Sequence, residues 1–368
     1  MVYLNTFKTA FLLFPIVALL ITIPFIIIEY HKYGSINKLR TLIIYSFILY
    51  LMNIYFLVIL PLPSIDYVKN LSTPKYQLVP FRFIIDFING SGFIFTKPST
   101  YLGALKSSSF YTVIFNIFMT IPFGMYLRYY FQCDLKKTIK YSFLLSLFFE
   151  LTQATGLYFI YPRSYRLFDV DDLMMNTLGG IIGYFLMGKI KFLPTRTSID
   201  LKTQKDALNV SGLRRITLFL LDLVIYTVIS GLILIIMHLF NFDKYNNIGL
   251  FLTFIIYYIF IPFWKKGKTL GSNFVHVCFE FENLLLLRLI IKVLCEFGYY
   301  FYLPVNIIKW SIKVLKYFNL DVLYIFIIIF ILIIIMIKVY VSNFLKLLKN
   351  GKVFYDKISG VVFVSTIN

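Results

Sequence analysis

Charged residues, cysteines and histidines are scarce in this chain of 368 residues. Only 14% of the residues are charged, whereas 60% are hydrophobic and 20% are aromatic. A soluble domain with that balance would have too little polar surface to cover its core. The three cysteines are odd in number and form no CxxC pair, so no disulfide framework is indicated. The three histidines are scattered singly, and we therefore predict neither a metal site nor a cofactor.

Strong catalytic motifs are also missing. The chain contains no HExxH, no GxSxG and no P-loop. The sequence therefore favours a protein without enzymatic activity, although an enzyme that acts on a lipid stays open as an alternative.

Long apolar runs dominate the chain instead. Several of them reach the roughly 20 residues that are needed to cross a hydrocarbon core of about 30 Å. We predict an all-α polytopic membrane protein with about nine transmembrane helices in two bundles. The predicted spans lie near residues 9–28, 41–60, 110–128, 139–160, 170–188, 216–239, 248–264, 284–302 and 319–339. An amphipathic interfacial helix within residues 284–317 is an alternative that would change the number of spans.

The net charge of +19 comes from 36 Lys and Arg against 17 Asp and Glu. The basic residues concentrate in the loops 30–40, 128–140 and 189–215, which fall on one side if the spans alternate. Positive loops face the cytoplasm and meet anionic lipid headgroups. We therefore expect membrane lipids and no nucleic acid as partners, with the N-terminus outside and the C-terminus inside.

Two further segments organise the chain. Residues 191–212 are polar and lack periodicity, which predicts a cytoplasmic linker between a domain at 1–190 and a domain at 213–368. In the loop 61–109, residues Phe81, Ile84, Ile85 and Ile88 share one helical face, and Arg82 can pair with Asp86 on the other. This segment either rests on the outer leaflet, folds back over the bundle or is an ordinary loop.

Acids, amides and glycines concentrate between Glu150 and Gly183. Glu150 lies roughly 18 Å along its predicted span, where a carboxylate is costly and by default functional. Residues three and four apart share a helix face, so the polar positions form two stripes that we expect to face each other. The predicted outward polar pocket comprises Glu150, Gln153, Arg166, Asp169, Asp172 and Asn176. The small residues Gly179, Gly180 and Gly183 are predicted to let two helices approach closely.

Three interpretations of this pocket are open. It is a buried network that holds two helices together, a binding site for the headgroup of an amphiphile, or a pair of acids for proton transfer. In the second interpretation, Arg166 would bind an anionic headgroup or hold Asp169. Glu150 and Asp172 would bind a cation or carry a proton.

Residues 40–190 resemble the VanZ-like family. The resemblance rests on Asn116, Pro122–Gly124, Glu150–Gln153, Arg166–Asp172 and Asn176–Gly183, with Val79-Pro80-Phe81 ahead of them. It implies a bacterial protein of the cytoplasmic membrane that acts at its outer surface. It further implies resistance to lipoglycopeptides such as teicoplanin, with a lipid-anchored cell-wall precursor or the antibiotic itself as partner.

Residues 213–368 resemble the RDD family. The resemblance rests on Arg215, Asp222 and Asp356, whereas Ser272 and Val361 depart from the usual pattern of that family. The alternation in 274–281 and the run 361–364 predict two strands that pair as a small cytoplasmic β element and bring Asp356 close to Arg215. An ion-coupled transporter and a non-catalytic scaffold are the alternative functions of the whole chain.

Overall fold

The computed structural model describes residues 2–281, 283–317 and 322–367, and most of them are helical. Contacts between Cα atoms group the chain into two compact units. The first comprises Met1–Leu20 with Lys38–Ile199, and the second comprises Ile21–Asn37 with Asp200–Asn368. The predicted domain limits at 190 and 213 stay a prediction. Part of the predicted linker is helical, since α10 covers Arg196–Ala207.

The first unit contains most of helix α1 (Val2–Tyr33) and eight further helices up to residue 189. These are α2 (Lys38–Ile59), α3 (Ile65–Lys69), α4 (Arg82–Gly90), α5 (Tyr101–Ala104), α6 (Ser108–Tyr129), α7 (Leu135–Ala154), α8 (Gly156–Phe159) and α9 (Val170–Lys189). Two short strands, β1 (Tyr76–Gln77) and β2 (Phe168–Asp169), pair in parallel.

Helix α9 packs tightly against α6 and α7 along its glycines. A Cβ atom added to Gly180 would lie 2.0 Å from the Ser142 hydroxyl, and one added to Gly124 would lie 1.9 Å from the carbonyl oxygen of Gly180. Gly179 and Gly183 approach the backbone of α6 in the same way. Such close approach gives strong van der Waals contact where the surroundings are as apolar as the side chains.

The loop between α2 and α6 contains the predicted amphipathic segment as α4. The ion pair between Arg82 and Asp86 is confirmed, with 3.1 Å between Nε and Oδ1, and both side chains are about half exposed. Ile84, Ile85 and Ile88 are also about half exposed.

Helix α7 ends earlier than predicted. The expected span reached residue 160, but the helix stops at Ala154, and Gly156 has a φ of +60°. The next three residues also lie in the left-handed region, which L-amino acids rarely adopt in succession. An apolar run, Leu157 to Tyr161, had suggested a longer helix than the backbone forms.

Six helical segments among the described residues are long and apolar enough to cross a membrane: Lys8–Tyr33, Lys38–Ile59, Ser108–Tyr129, Gly212–Leu239, Asp243–Trp264 and Phe326–Leu348. An all-α membrane protein is therefore supported, whereas the total of nine transmembrane helices stays a prediction. Helices α7 and α9 fall outside the six because their polar residues lower their hydropathy.

The second unit is built around helix α11 (Gly212–Leu239). It contains α12 (Asn246–Ile255), α13 (Ile261–Trp264), α14 (Ser272–Val275), α15 (Leu285–Phe297), α16 (Leu303–Tyr317), α17 (Val322–Leu348) and α18 (Phe354–Ser359). One π-helical segment joins α12 to α13, and another joins α15 to α16. The start of the predicted span 319–339 lies outside the described residues, and α17 covers the rest.

Strands β3 (Val277–Glu280) and β4 (Val362–Ser365) pair antiparallel in the second unit, with Val277 opposite Ser365. The predicted strands thus form one two-stranded sheet, while its cytoplasmic location stays a prediction. Its apolar face packs on Leu218 of α11 and on Tyr30, which is 1% exposed. The C-terminal end of α1 therefore belongs to the core of the second unit.

Candidate functional site

The side chain of Glu150 is buried where α7 meets the start of α9. It is 2% exposed, and its Oε2 accepts a hydrogen bond of 2.9 Å from the backbone N–H of Asp169. The N-terminus of a helix attracts negative charge, so α9 stabilises this carboxylate. Glu150 follows three small buried residues of α7, namely Thr138, Ser142 and Ser146, which let α9 approach.

Asp172 and Asn176 project from α9 toward α6 and α7. Asp172 accepts a hydrogen bond of 2.6 Å from Asn116 Nδ2 of α6, and Asn176 donates one of 2.9 Å to the Ser146 hydroxyl. The backbone carbonyl of Asn176 accepts a bond of 2.7 Å from Thr120. The Oδ1 atom of Asn176 is buried and has no hydrogen-bond partner. A buried acceptor without a hydrogen-bond partner destabilises the fold, so a donor from a ligand would bind favourably there.

Arg166 is held by the end of α2. Its guanidinium donates to the carbonyl oxygens of Val58 and Leu60 at 2.7 and 3.1 Å, and Gln153 Nε2 donates to that of Val58 at 3.1 Å. The last carbonyls of a helix lack partners within it and attract cations. Arg166 thus fixes α2 instead of forming the predicted contact with Asp169.

Asp169 caps α9 and does not line the cavity that the other predicted residues share. Its Oδ1 accepts hydrogen bonds from the backbone N–H of Asp171 and from Gln77 Nε2, at 2.8 and 3.2 Å. Burial raises the pKa of Asp169, an effect that the hydrogen bond from Asp171 opposes. Its function is to start the helix and to hold β1.

Asp171 fixes the loop in front of α4, a role that the sequence analysis missed. Its two carboxylate oxygens accept hydrogen bonds from the backbone N–H groups of Phe81 and Phe83, at 2.6 and 2.8 Å, and the side chain is 4% exposed. The sequence could have indicated this role only through the presence of a third acid within residues 169–172, which lies off the predicted polar stripe of α9.

Five of the six predicted residues line one cavity of about 880 Å³ in the first unit. They are Glu150, Gln153, Arg166, Asp172 and Asn176. Sequence reasoning left out Asn116 and Lys106 as members of this site, although Asn116 belonged to the family motif. Aromatic walls come from Tyr111, Phe115 and Phe149. A polar end with charges of both signs beside aromatic walls can accommodate a small amphiphile.

The second unit contains a separate charged cluster. Arg215 contacts Asp356 in an ion pair, as the sequence predicts, and lines a cavity of about 220 Å³ together with Asp222. Asp222 accepts hydrogen bonds from Tyr257, Thr269 and the N–H of Gly271, at 2.8 to 2.9 Å. Burial raises the pKa of Asp356, and the adjacent Arg215 opposes this effect.

Two further features of the second unit were not foreseen. Lys292 and Glu296 form a buried ion pair of 2.5 Å that lines the same cavity. Arg214, which is 0% exposed, donates to the carbonyl oxygens of Ala207, Val275 and His276 and so holds the start of β3. Within the described residues, no group of three or more His, Cys, Asp or Glu is placed to hold a metal.

Comparison with known proteins assigns a family to the first of these sites. Residues 47–192 match the family model VanZ/LLP1, and this stretch contains every residue of the cavity in the first unit. No curated protein and no solved structure matches the chain. The chain thus carries a VanZ-like domain, which together with its apolar helices indicates a membrane protein. The match ends before Arg215, so the RDD resemblance stays a prediction.

Proposed function

We propose that the VanZ-like domain binds the polar headgroup of a lipid-anchored molecule and thereby protects a bacterial cell against lipoglycopeptides such as teicoplanin. The ligand is a cell-wall precursor on its lipid carrier or the antibiotic itself. In this proposal the protein lies in the cytoplasmic membrane with its N-terminus outside and its C-terminus inside. The cavity then opens toward the outer leaflet, because Arg128, Lys136 and Lys137 lie at the opposite end of α6 and α7.

The cavity of about 880 Å³ is the observation that supports binding best. A purely structural network would pack its polar side chains against one another, because buried polar groups are favourable only when they are paired. Here Glu150 and Asp172 line an accessible space instead, and a buried oxygen of Asn176 lacks a donor. Carboxylates suit amine, hydroxyl or amide donors, and Lys106 at the same cavity suits a phosphate.

Susceptibility to teicoplanin tests this proposal. A deletion strain is complemented with wild type, Glu150→Gln or Asp172→Asn, and the minimum inhibitory concentration is measured at equal protein abundance. Each substitution replaces a buried carboxyl group with an amide of nearly the same shape, which can neither ionise nor transfer a proton. We expect about tenfold loss of protection, the effect of one hydrogen bond to a charged group.

Asp86→Asn is the matched control, since Asp86 is an exposed carboxylate of the same unit outside the cavity. It is expected to protect as wild type does. Full protection by Glu150→Gln and Asp172→Asn would rule out the cavity as the functional site. A strain with wild-type protein that is no more resistant than the deletion would instead favour a scaffold.

The second unit supports a second candidate function, an RDD-like ion-coupled carrier. Two cations, Arg215 and Lys292, and two carboxylates, Asp222 and Glu296, line its cavity of about 220 Å³. A third carboxylate, Asp356, contacts Arg215. If all five groups are ionised, one negative charge is left for a proton or a monovalent cation.

Flux of Na⁺, K⁺ and protons in proteoliposomes tests this candidate. Asp222→Asn should slow the flux at least as much as Glu296→Gln, while Asp200→Asn, on α10 and outside the cavity, serves as control. Identical flux in protein-free and protein-containing vesicles would contradict a carrier.

A further inference from the structure

Side-chain contacts bridge the seam between α2 and α6 along one half, which we call the closed half, whereas the other half is open. The far end of the closed half borders a separate, largely apolar cavity of about 410 Å³. In the closed half, the Tyr50 hydroxyl donates to the carbonyl oxygen of Met119 at 2.8 Å, and the Tyr126 hydroxyl lies 2.9 Å from that of Ser46. Phe47 fills this half, with its ring centroid 4.9 Å from that of Tyr126.

The antiparallel pairing stops before the helices end. Ser46 meets Tyr126 and Tyr50 meets Met119, so the same progression would bring Leu57 against Thr112. Instead, Leu57, Tyr111, Thr112 and Phe115 line the cavity that contains Glu150 and Asp172. We call these four residues the portal.

Portal residues of α6 face the surroundings of the unit as well as the cavity. Tyr111 is 58% exposed and Phe115 is 43% exposed, and both belong to a helix that is apolar and long enough to span a membrane. Phe115 lies seven residues after Ser108, which is about 10 Å along the helix axis. The opening therefore runs from the headgroup level into the hydrocarbon layer. Phe118 is 64% exposed on the same helix but does not line the cavity.

We infer that the cavity is filled sideways from the bilayer, through the portal, by a phosphate-bearing lipid whose headgroup also donates hydrogen bonds. This inference rests on the proposed binding function and adds the entry route and the ligand class. The apolar chain stays in the bilayer against Leu57 and Phe115, so no hydrocarbon crosses water. The phosphate lies near Lys106, at the end of the opening where α6 begins. The amine or hydroxyl donors reach Glu150 and Asp172 at the inner end.

Photolabelling of the full chain in nanodiscs tests this route. The probes are phosphatidylethanolamine and phosphatidylcholine, each with a diazirine near the glycerol end of one acyl chain. Only the ethanolamine can donate hydrogen bonds to a carboxylate. We expect the ethanolamine lipid to label Phe115 about tenfold more than the choline lipid does, the effect of one hydrogen bond to a charged group. Both lipids should label Phe118 equally.

Two tryptophan variants complete the experiment. Thr112→Trp adds bulk to the portal and should abolish the preference at Phe115, whereas Phe118→Trp should leave it intact. Equal labelling of Phe115 by both lipids in the wild-type protein would overturn the inference. So would full competition by soluble glycerophosphoethanolamine, because entry would then not require the bilayer.

Failure of the route and failure of the function are distinguishable. Suppose that Glu150→Gln loses protection against teicoplanin while both lipids label Phe115 equally. The proposed headgroup binding is then supported, and the proposed entry from the bilayer is wrong. If Glu150→Gln and Asp172→Asn both protect fully, the proposed function fails whatever the labelling shows.

Discussion

A single carboxylate, that of Asp171, holds the loop that precedes α4. Its replacement by alanine leaves the N–H groups of Phe81 and Phe83 without their acceptors, at a cost of about 1–3 kcal/mol for each group that stays buried. We expect the loop to open locally, so that trypsin cleaves after Arg82 faster in Asp171→Ala than in wild type. The fragment pattern over time measures this change.

Asp86→Ala is the control for this experiment. Asp86 also contacts the loop, through its exposed ion pair with Arg82, but such pairs contribute little to stability. Equal cleavage rates in wild type and Asp171→Ala would show that the two hydrogen bonds do not hold the loop.

The two carboxylates of the cavity were predictable from the sequence, and Asp171 was not. Glu150 and Asp172 were identified because an acid at helical spacing within an apolar segment carries a large desolvation cost. Asp171 lies one residue off that stripe, and its two shortest hydrogen bonds come from backbone groups ninety and eighty-eight residues earlier in the chain. Backbone donors carry no side-chain signature, so no pattern of residues could assign them.

At the scale of elements, the spacing of glycines predicted a helix contact and the alternation of apolar residues predicted a strand. The sequence did not predict where the helices end. The positions of Gly179, Gly180 and Gly183 suggested a close helix contact, but the sequence did not identify α6 and α7 as the partners. The alternation around Val277 led to a strand that the structure pairs with β4. By contrast, α7 ends at Ala154 because of backbone conformations at residues 156–159 that the apolar side chains there do not indicate.

The closed and open halves of the α2–α6 seam show why element boundaries matter for function. Helix α2 ends and α6 begins beside the cavity, at Ile59 and Ser108, so a sequence pattern would treat the two helices as packed along their whole length. Aromatic residues occupy the closed half, and Arg166 holds the end of α2 through its carbonyls in the open half. The sequence predicts that Arg166 contacts a ligand. In the structure, Arg166 instead holds the end of α2 beside the entrance to the cavity.

At the scale of the whole molecule, the orientation in the membrane decides which leaflet the cavity faces. The natural Cys133 lies in the turn between α6 and α7, on the side that we propose to be cytoplasmic. The exposed Ser72 lies in the loop between α2 and α6, which we propose to be outside. With Cys278→Ala and Cys295→Ala as background, these two positions can be compared directly.

A membrane-impermeant maleimide should label Ser72→Cys in intact cells and should label Cys133 only after permeabilisation. Burial raises the pKa of the Cys133 thiol, so less thiolate is present near neutral pH, and labelling in permeabilised cells should increase as the pH rises. A chain with all three cysteines replaced controls for background labelling. Labelling of Cys133 in intact cells would invert the orientation. The cavity would then face the inner leaflet, where a lipoglycopeptide outside the cell has no access to it.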